Sequence, residues 1–101
     1  LTQIEMRKLE LARAMAVKPK LLISDEAMAG LSSSEVDDIL KILINLNEQT
    51  KITIIMIEHI MRAVMSFSKR VVCLDAGKII ANGTPDEVIK TPAVEKAYLG
   101  D

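Results

Sequence analysis

The stretch LLISDEAMAGLSSSE, Leu21 to Glu35, decides how this chain is read. Mostly apolar residues run straight into two adjacent carboxylates, Asp25 and Glu26, then into an Ala-Gly pair and a cluster of serines. A short apolar run bounded by turn residues predicts a strand covered on both faces. Ser32 stands three residues before Glu35, the spacing of a capping box, in which each side chain serves the other residue's backbone N–H. A helix is therefore expected to follow, and EVDDILKILINLNEQ carries Val36, Ile39, Leu40, Leu43 and Leu46 along one stripe. The two acids sit where that strand hands over to that helix.

Upstream, LTQIEMRKLELARAMAV repeats Leu1, Ile4, Leu11, Ala12 and Met15 at roughly helical spacing, with charged residues on the other faces. The following Lys-Pro-Lys, Lys18 to Lys20, breaks the pattern, because proline and the residue before it resist helix. Downstream, ITIIMI, Ile52 to Ile57, predicts a second buried strand ending at Glu58-His59, and IMRAVMSFS a helix. RVVCLD and KIIANG, joined around Asp75-Ala76-Gly77, read as a hairpin. TPDE, Thr84 to Glu87, is another cap with proline at the first helical position. Thr91-Pro92 opens a last short helix ending at Leu99-Gly100. Strands alternating with helices predict an α/β fold, a partial parallel sheet flanked by helices with a β-hairpin at its edge.

The 101 residues suffice for one small domain with a real core but not for two, so a single domain over residues 1–101 is expected. Thirteen Lys and Arg against 14 Asp and Glu leave no basic field for nucleic acid. One Tyr, one Phe and no Trp supply no stacking platform for bases or sugars. The single cysteine, Cys73, excludes an internal disulfide and a cysteine-based zinc site; inside RVVCLD it reads as a buried structural thiol in a reducing cytosol. No run approaches the ~18 apolar residues of a membrane span.

In open α/β sheets, chemistry gathers beyond the carboxyl ends of the strands. Asp25-Glu26 and Glu58-His59 both stand there. Carboxylates after strands are often solvated loop residues favoured by a nearby helix N-terminus, and a lone loop histidine is usually a surface residue. Two polar pairs on one rim weigh against both being incidental. One carboxylate can hold a hydrated Mg²⁺ and a second can polarise a water, which are separate tasks in phosphoryl transfer. A histidine on the neighbouring strand end could hydrogen-bond a terminal phosphate. No G-x-x-x-x-G-K-[ST] phosphate cradle occurs, because Gly30, Gly77, Gly83 and Gly100 are scattered. A phospho-acceptor receiver domain also ends a strand in Asp, but needs an acidic pair after an opening strand, and this chain opens in a helical pattern.

Taken together, these residues resemble the latter half of an ABC-transporter ATP-binding subunit. LTQIEMRKLELARAMA is similar to the helix opened by that family's signature loop, Leu-Ser-Gly-Gly-Gln. LLISDEAMAGL looks like the Walker B strand, AGLSSSE like the D-loop, and IIMIEH like the switch-histidine strand. From IEH to the end, including ANGTP and AYLG, the chain is similar to the ATPases of branched-chain amino acid importers; related lipid-export ATPases end similarly. The resemblance implies that Asp25 contacts Mg²⁺ through water and that Glu26 and His59 are catalytic. It also implies that Leu1, Thr2, Gln3, Ile4 and Glu5 face ATP bound on a partner subunit, with Ser32 in the D-loop. ATP and Mg²⁺ are the implied cofactors. A second ATP-binding subunit, identical or different, and transmembrane permease subunits are the implied partners, on the cytoplasmic face of the cell membrane. The chain would then be a C-terminal part of the nucleotide-binding domain that lacks Walker A and is inactive alone.

The departures from the family pattern are specific. Gln3 and Ile4 replace the signature glycines and Glu5 its glutamine. Glycine admits close backbone approach, whereas Ile4 sets a branched side chain in the way and Glu5 a negative charge near a polyphosphate. Ser24 stands where Walker B prefers an apolar residue, Ala27 where proline is usual, Ser32 where the D-loop has Asp or Asn, and Ile60 where Asp often follows the histidine. Two further readings follow: a degenerate, non-hydrolysing or regulatory ABC subunit, and an α/β interaction module that binds no nucleotide.

Overall fold

Three of the helices begin where side chains three residues apart close on each other. In the computed structural model, which describes residues 1–98, α1 (Gln3–Ala16) is capped by Thr2 with Glu5, and α2 (Ser33–Thr50) by Ser32 with Glu35. Between them lies β1 (Leu21–Asp25), and after them β2 (Thr53–Ile57), α3 (Met61–Phe67), β3 (Val71–Asp75) and β4 (Lys78–Gly83). Thr84 with Glu87 caps α4 (Pro85–Ile89), and α5 (Pro92–Tyr98) ends the described part; the expected helix end at Leu99-Gly100 lies outside it. The chain divides into two compact units, Leu1–Ala63 and Val64–Asp101, with the division inside α3.

In the first unit β1 and β2 pair in parallel, Leu21 opposite Thr53 and Asp25 opposite Ile57. The α2 stripe is buried as its spacing predicts: Val36, Ile39, Leu40 and Leu43 are at most 5% exposed, with Leu46 half-buried. The strands, however, are covered on one face and not on both. Leu22 and Ser24 are buried, whereas Leu21, Ile23, Ile55 and Ile57 are each about half exposed. Alternate side chains of a strand point to opposite faces, and the α2 residues Ile39 and Leu43 share a cavity wall with Leu22 and Ser24. An apolar run alone does not say how many faces are covered. The α1 stripe also differs from the expected one. Its half-buried face is Ile4, Arg7, Leu11, Ala14 and Met15; Ala12 is exposed, and Leu1 precedes the cap at 86% exposure.

In the second unit β3 and β4 form an antiparallel two-stranded sheet of their own, the expected hairpin. Its two-residue turn places Ala76 and Gly77 at φ +49° and +79°, the double left-handed geometry that matches strand twist. A bulge between Cys73 and Leu74 shifts the register, so Cys73 faces Ala81 while Leu74 faces Ile79. Val64, Val71, Cys73, Val88 and Val94 form the core cluster. Burial pushes the Cys73 thiol pKa up, consistent with an unreactive structural cysteine. The Tyr98 hydroxyl donates to the Leu74 carbonyl.

Candidate active site

Because β1 and β2 are parallel and in register, their carboxyl ends fall at one level and both polar pairs follow from it. The Glu26 N–H donates to the Ile57 carbonyl at 2.9 Å, one rung beyond the strand pair. Glu26 then turns at φ +51°, a left-handed conformation that costs a residue with a Cβ about 1–2 kcal/mol. Strain of this kind persists where surrounding contacts over-determine it. Here the rung to Ile57 and the Ala29 N–H on the Glu26 carbonyl hold the turn. The result is a side-chain meeting: Glu26 Oε1 lies 3.5 Å from His59 Nε2, both side chains more than half exposed.

Asp25 is exposed at the end of β1 and has no side-chain partner among the described residues. Mg²⁺ keeps several waters and takes one or two carboxylates plus substrate phosphates. A lone, unpartnered strand-end carboxylate fits that demand, through water. No group of three or more His, Cys, Asp or Glu able to cage a metal occurs among the described residues.

Ser32 serves as N-cap of α2, its Oγ accepting from the Glu35 N–H at 3.3 Å. The predicted loop residues Gln3, Ile4 and Glu5 form the first turn of α1. The Thr2 N–H donates to Glu5 Oε1 at 2.8 Å, and the Glu5 N–H donates to Thr2 Oγ1 at 3.2 Å. The backbone bond from Thr2, aided by its hydroxyl, holds the Glu5 carboxyl below its usual range. The Gln3 side-chain amide donates to the Ala29 carbonyl at 3.4 Å, lying over Gly30. Gly30 sits at φ +80°, and a Cβ there would come within 2.9 Å of Gln3 Nε2. Leu1 stands outside the helix.

Two contacts escaped the sequence. Glu58, grouped with His59 as a rim pair, turns back: its Oε2 accepts from the Met28 N–H at 3.4 Å, and its other oxygen is shielded from solvent without a partner. Arg62 reaches α2, Nη1 to Asp37 Oδ1 at 2.5 Å and Nη2 to the Ser33 carbonyl at 3.3 Å. Its partners lie 25 and 29 residues away, and no local spacing signals them. The assembled rim can polarise a water, accept a hydrated cation and hydrogen-bond an anion.

No family model matches the chain. Solved ATP-binding cassettes share its backbone. The ADP conformation of MJ1267, an ATP-binding cassette of an ABC transporter, superposes with TM-score 0.87 at 30% identity, covering 100% of this chain and 41% of that one. The chain is a relative of ABC-transporter ATP-binding proteins and corresponds to their C-terminal part. The high-affinity branched-chain amino acid transport ATP-binding protein BraF of Pseudomonas aeruginosa is 40% identical over 97 residues, 96% of this chain and 38% of that protein. The lipopolysaccharide export system ATP-binding protein LptB of Haemophilus influenzae is 37% identical over 96% of this chain and 40% of its own length. The chain thus spans 38–40% of these curated relatives. No helix among the described residues is long and apolar enough to cross a membrane.

Proposed function

We propose that this chain is the C-terminal part of an ATP-binding subunit that hydrolyses ATP to drive an ABC transporter, one importing branched-chain amino acids. The observation that carries the reading is the Glu26–His59 approach of 3.5 Å beside the unpartnered Asp25, on the shared rim of two parallel strands. Glu26 would orient the attacking water, His59 would hydrogen-bond the terminal phosphate, and Asp25 would hold Mg²⁺ through water. When bound, that ion supplies charge neutralisation at the phosphates. The branched-chain solute rests on the likeness to BraF, against which stands the likeness to LptB, named for lipopolysaccharide export. A second ATP-binding subunit and membrane permease subunits complete the assembly at the inner face of the membrane. The 101 residues contain no G-x-x-x-x-G-K-[ST] and as one domain are proposed to be inactive alone. The test is ATP hydrolysis by the complete subunit with its permease: Glu26→Gln should abolish turnover while ATP stays bound. Unchanged turnover would reject Glu26 as the catalytic base.

The Thr2–Glu5 box favours a second reading, a non-hydrolysing or regulatory subunit. The Glu5 carboxylate accepts from the Thr2 N–H and the Thr2 hydroxyl from the Glu5 N–H, so a negative charge already stands at this helix start and opposes a phosphate there. Normal hydrolysis by a dimer built of this subunit alone would remove it.

A further inference from the structure

Contacts on both sides of His59 tie its segment to the segment that carries Glu26. On the near side, Glu58 Oε2 accepts from the Met28 N–H, two residues after Glu26. On the far side, Arg62 Nη1 donates to Asp37 Oδ1 and Nη2 to the Ser33 carbonyl, both in the opening turns of α2, where the loop from Glu26 ends. Between these ties, residues 58–60 belong to no helix or strand, so no regular ladder places the imidazole.

We infer that Arg62 is a positioning residue for the Glu26–His59 pair. Its polar contacts are with Asp37 and Ser33, and none joins it to Glu26 or His59. Its planar fork engages a carboxylate and a carbonyl at once, which fixes direction as well as distance; a lysine ammonium would act as a point charge. The Arg62 and Asp37 side chains are 48% and 52% exposed, and exposed ion pairs add little to global stability. What the two-pronged contact does supply is a fixed position for Arg62, three residues after His59, against the opening turns of α2. The catalytic consequence rests on the ATPase reading above, whereas the positional claim does not.

The single histidine makes the test direct, because its ring Cε1–H NMR signal belongs to His59 without ambiguity. In the 101-residue chain at one fixed pH, Glu26→Gln displaces that signal. In an Arg62→Ala background the displacement should fall below half its size. Asp37→Asn, an exposed and nearly isosteric change, should reduce it as well, and it decides the matter if Arg62→Ala loses amide dispersion. Arg62→Lys, with the charge but not the fork, should not restore it. A displacement as large as the parent's in both the Asp37→Asn and the Arg62→Ala background overturns the inference, as does no displacement by Glu26→Gln in the parent. In the complete subunit, Arg62→Ala should lower kcat with KM for ATP unchanged. If the unsubstituted subunit hydrolyses nothing, the ATPase reading fails, and the NMR result still decides whether Arg62 positions the pair.

Discussion

At the strand ends and at the start of α1 the chain places similar polar groups in opposite circumstances. Asp25 has no partner among the described residues, and Glu26 meets only the exposed His59 across 3.5 Å. Thr2 and Glu5, by contrast, satisfy each other's backbone N–H, and the Glu5 carboxylate sets a negative charge against an incoming anion. The backbone is strained at the first place, with Glu26 at φ +51°, and relaxed at the second, with Thr2 in extended conformation. A carboxylate held in a costly conformation without a satisfied partner is available for chemistry; one closed in a cap contributes to a helix. Both residues are glutamates, so residue type does not separate them. Hydrogen-bond satisfaction does.

The largest effect should come from the unsatisfied side. Glu26→Gln in the complete subunit is expected to cut kcat for ATP hydrolysis by at least ~10²-fold, the scale of a lost general base, with steady-state kinetics as the check. A loss no larger than that of Glu5→Gln would erase the contrast between the two sites. Next comes the bridge between them, where Gln3 lies over Gly30. Gly30→Ala should destabilise the chain by roughly 1–2 kcal/mol, because the left-handed φ alone costs that much. In a Gln3→Ala background the clash disappears and the conformational cost stays, so denaturant unfolding of both variants separates the two causes.

Thr2→Ala removes the α1 cap and should cost ~1 kcal/mol in the same assay. The smallest effect is a dependence on pH. Glu5 and Glu87 are held below the ordinary value of 4.5, each chiefly by the backbone bond from its capping threonine. Their folded values are depressed, so their contribution is complete above the unfolded value and fades as pH falls through the folded one. The thermal midpoint of Glu87→Gln should therefore lie below the parent's at neutral pH and merge with it in acid. Parallel curves throughout would show that the charge plays no part in the cap.

Much of this was legible in the sequence, and the particular successes share a cause. The Ser32/Glu35 and Thr84/Glu87 boxes and the Ala76-Gly77 turn are interactions within three or four residues, so spacing alone reveals them. The α2 stripe is visible because helical periodicity repeats every turn. The placement of Asp25, Glu26 and His59 at one level is legible because parallel strands bring their carboxyl ends together, although Glu58 turns back from that rim. The failures are equally particular. Leu21, Ile23, Ile55 and Ile57 look like core residues in sequence, yet lie half exposed, because coverage of a strand face depends on a helix elsewhere in the chain. The apparent α1 stripe fails at Ala12, which is exposed for the same reason, and at Leu1, which stands before the cap and outside the helix.

What the sequence determined by itself, then, is the succession of elements, the points where helices start, and the two polar pairs at the strand ends. Each follows from backbone hydrogen-bond demand and side-chain period over a few residues. Only the tertiary structure decided which carboxylates are free. It turned Glu26 toward His59 and Glu58 back toward Met28, and it carried Arg62 across 25 residues to Asp37. Those outcomes depend on where α2 and the β1–α2 loop come to rest, and that is set by burial of Val36, Ile39, Leu40 and Leu43 rather than by any local pattern around the charged residues themselves.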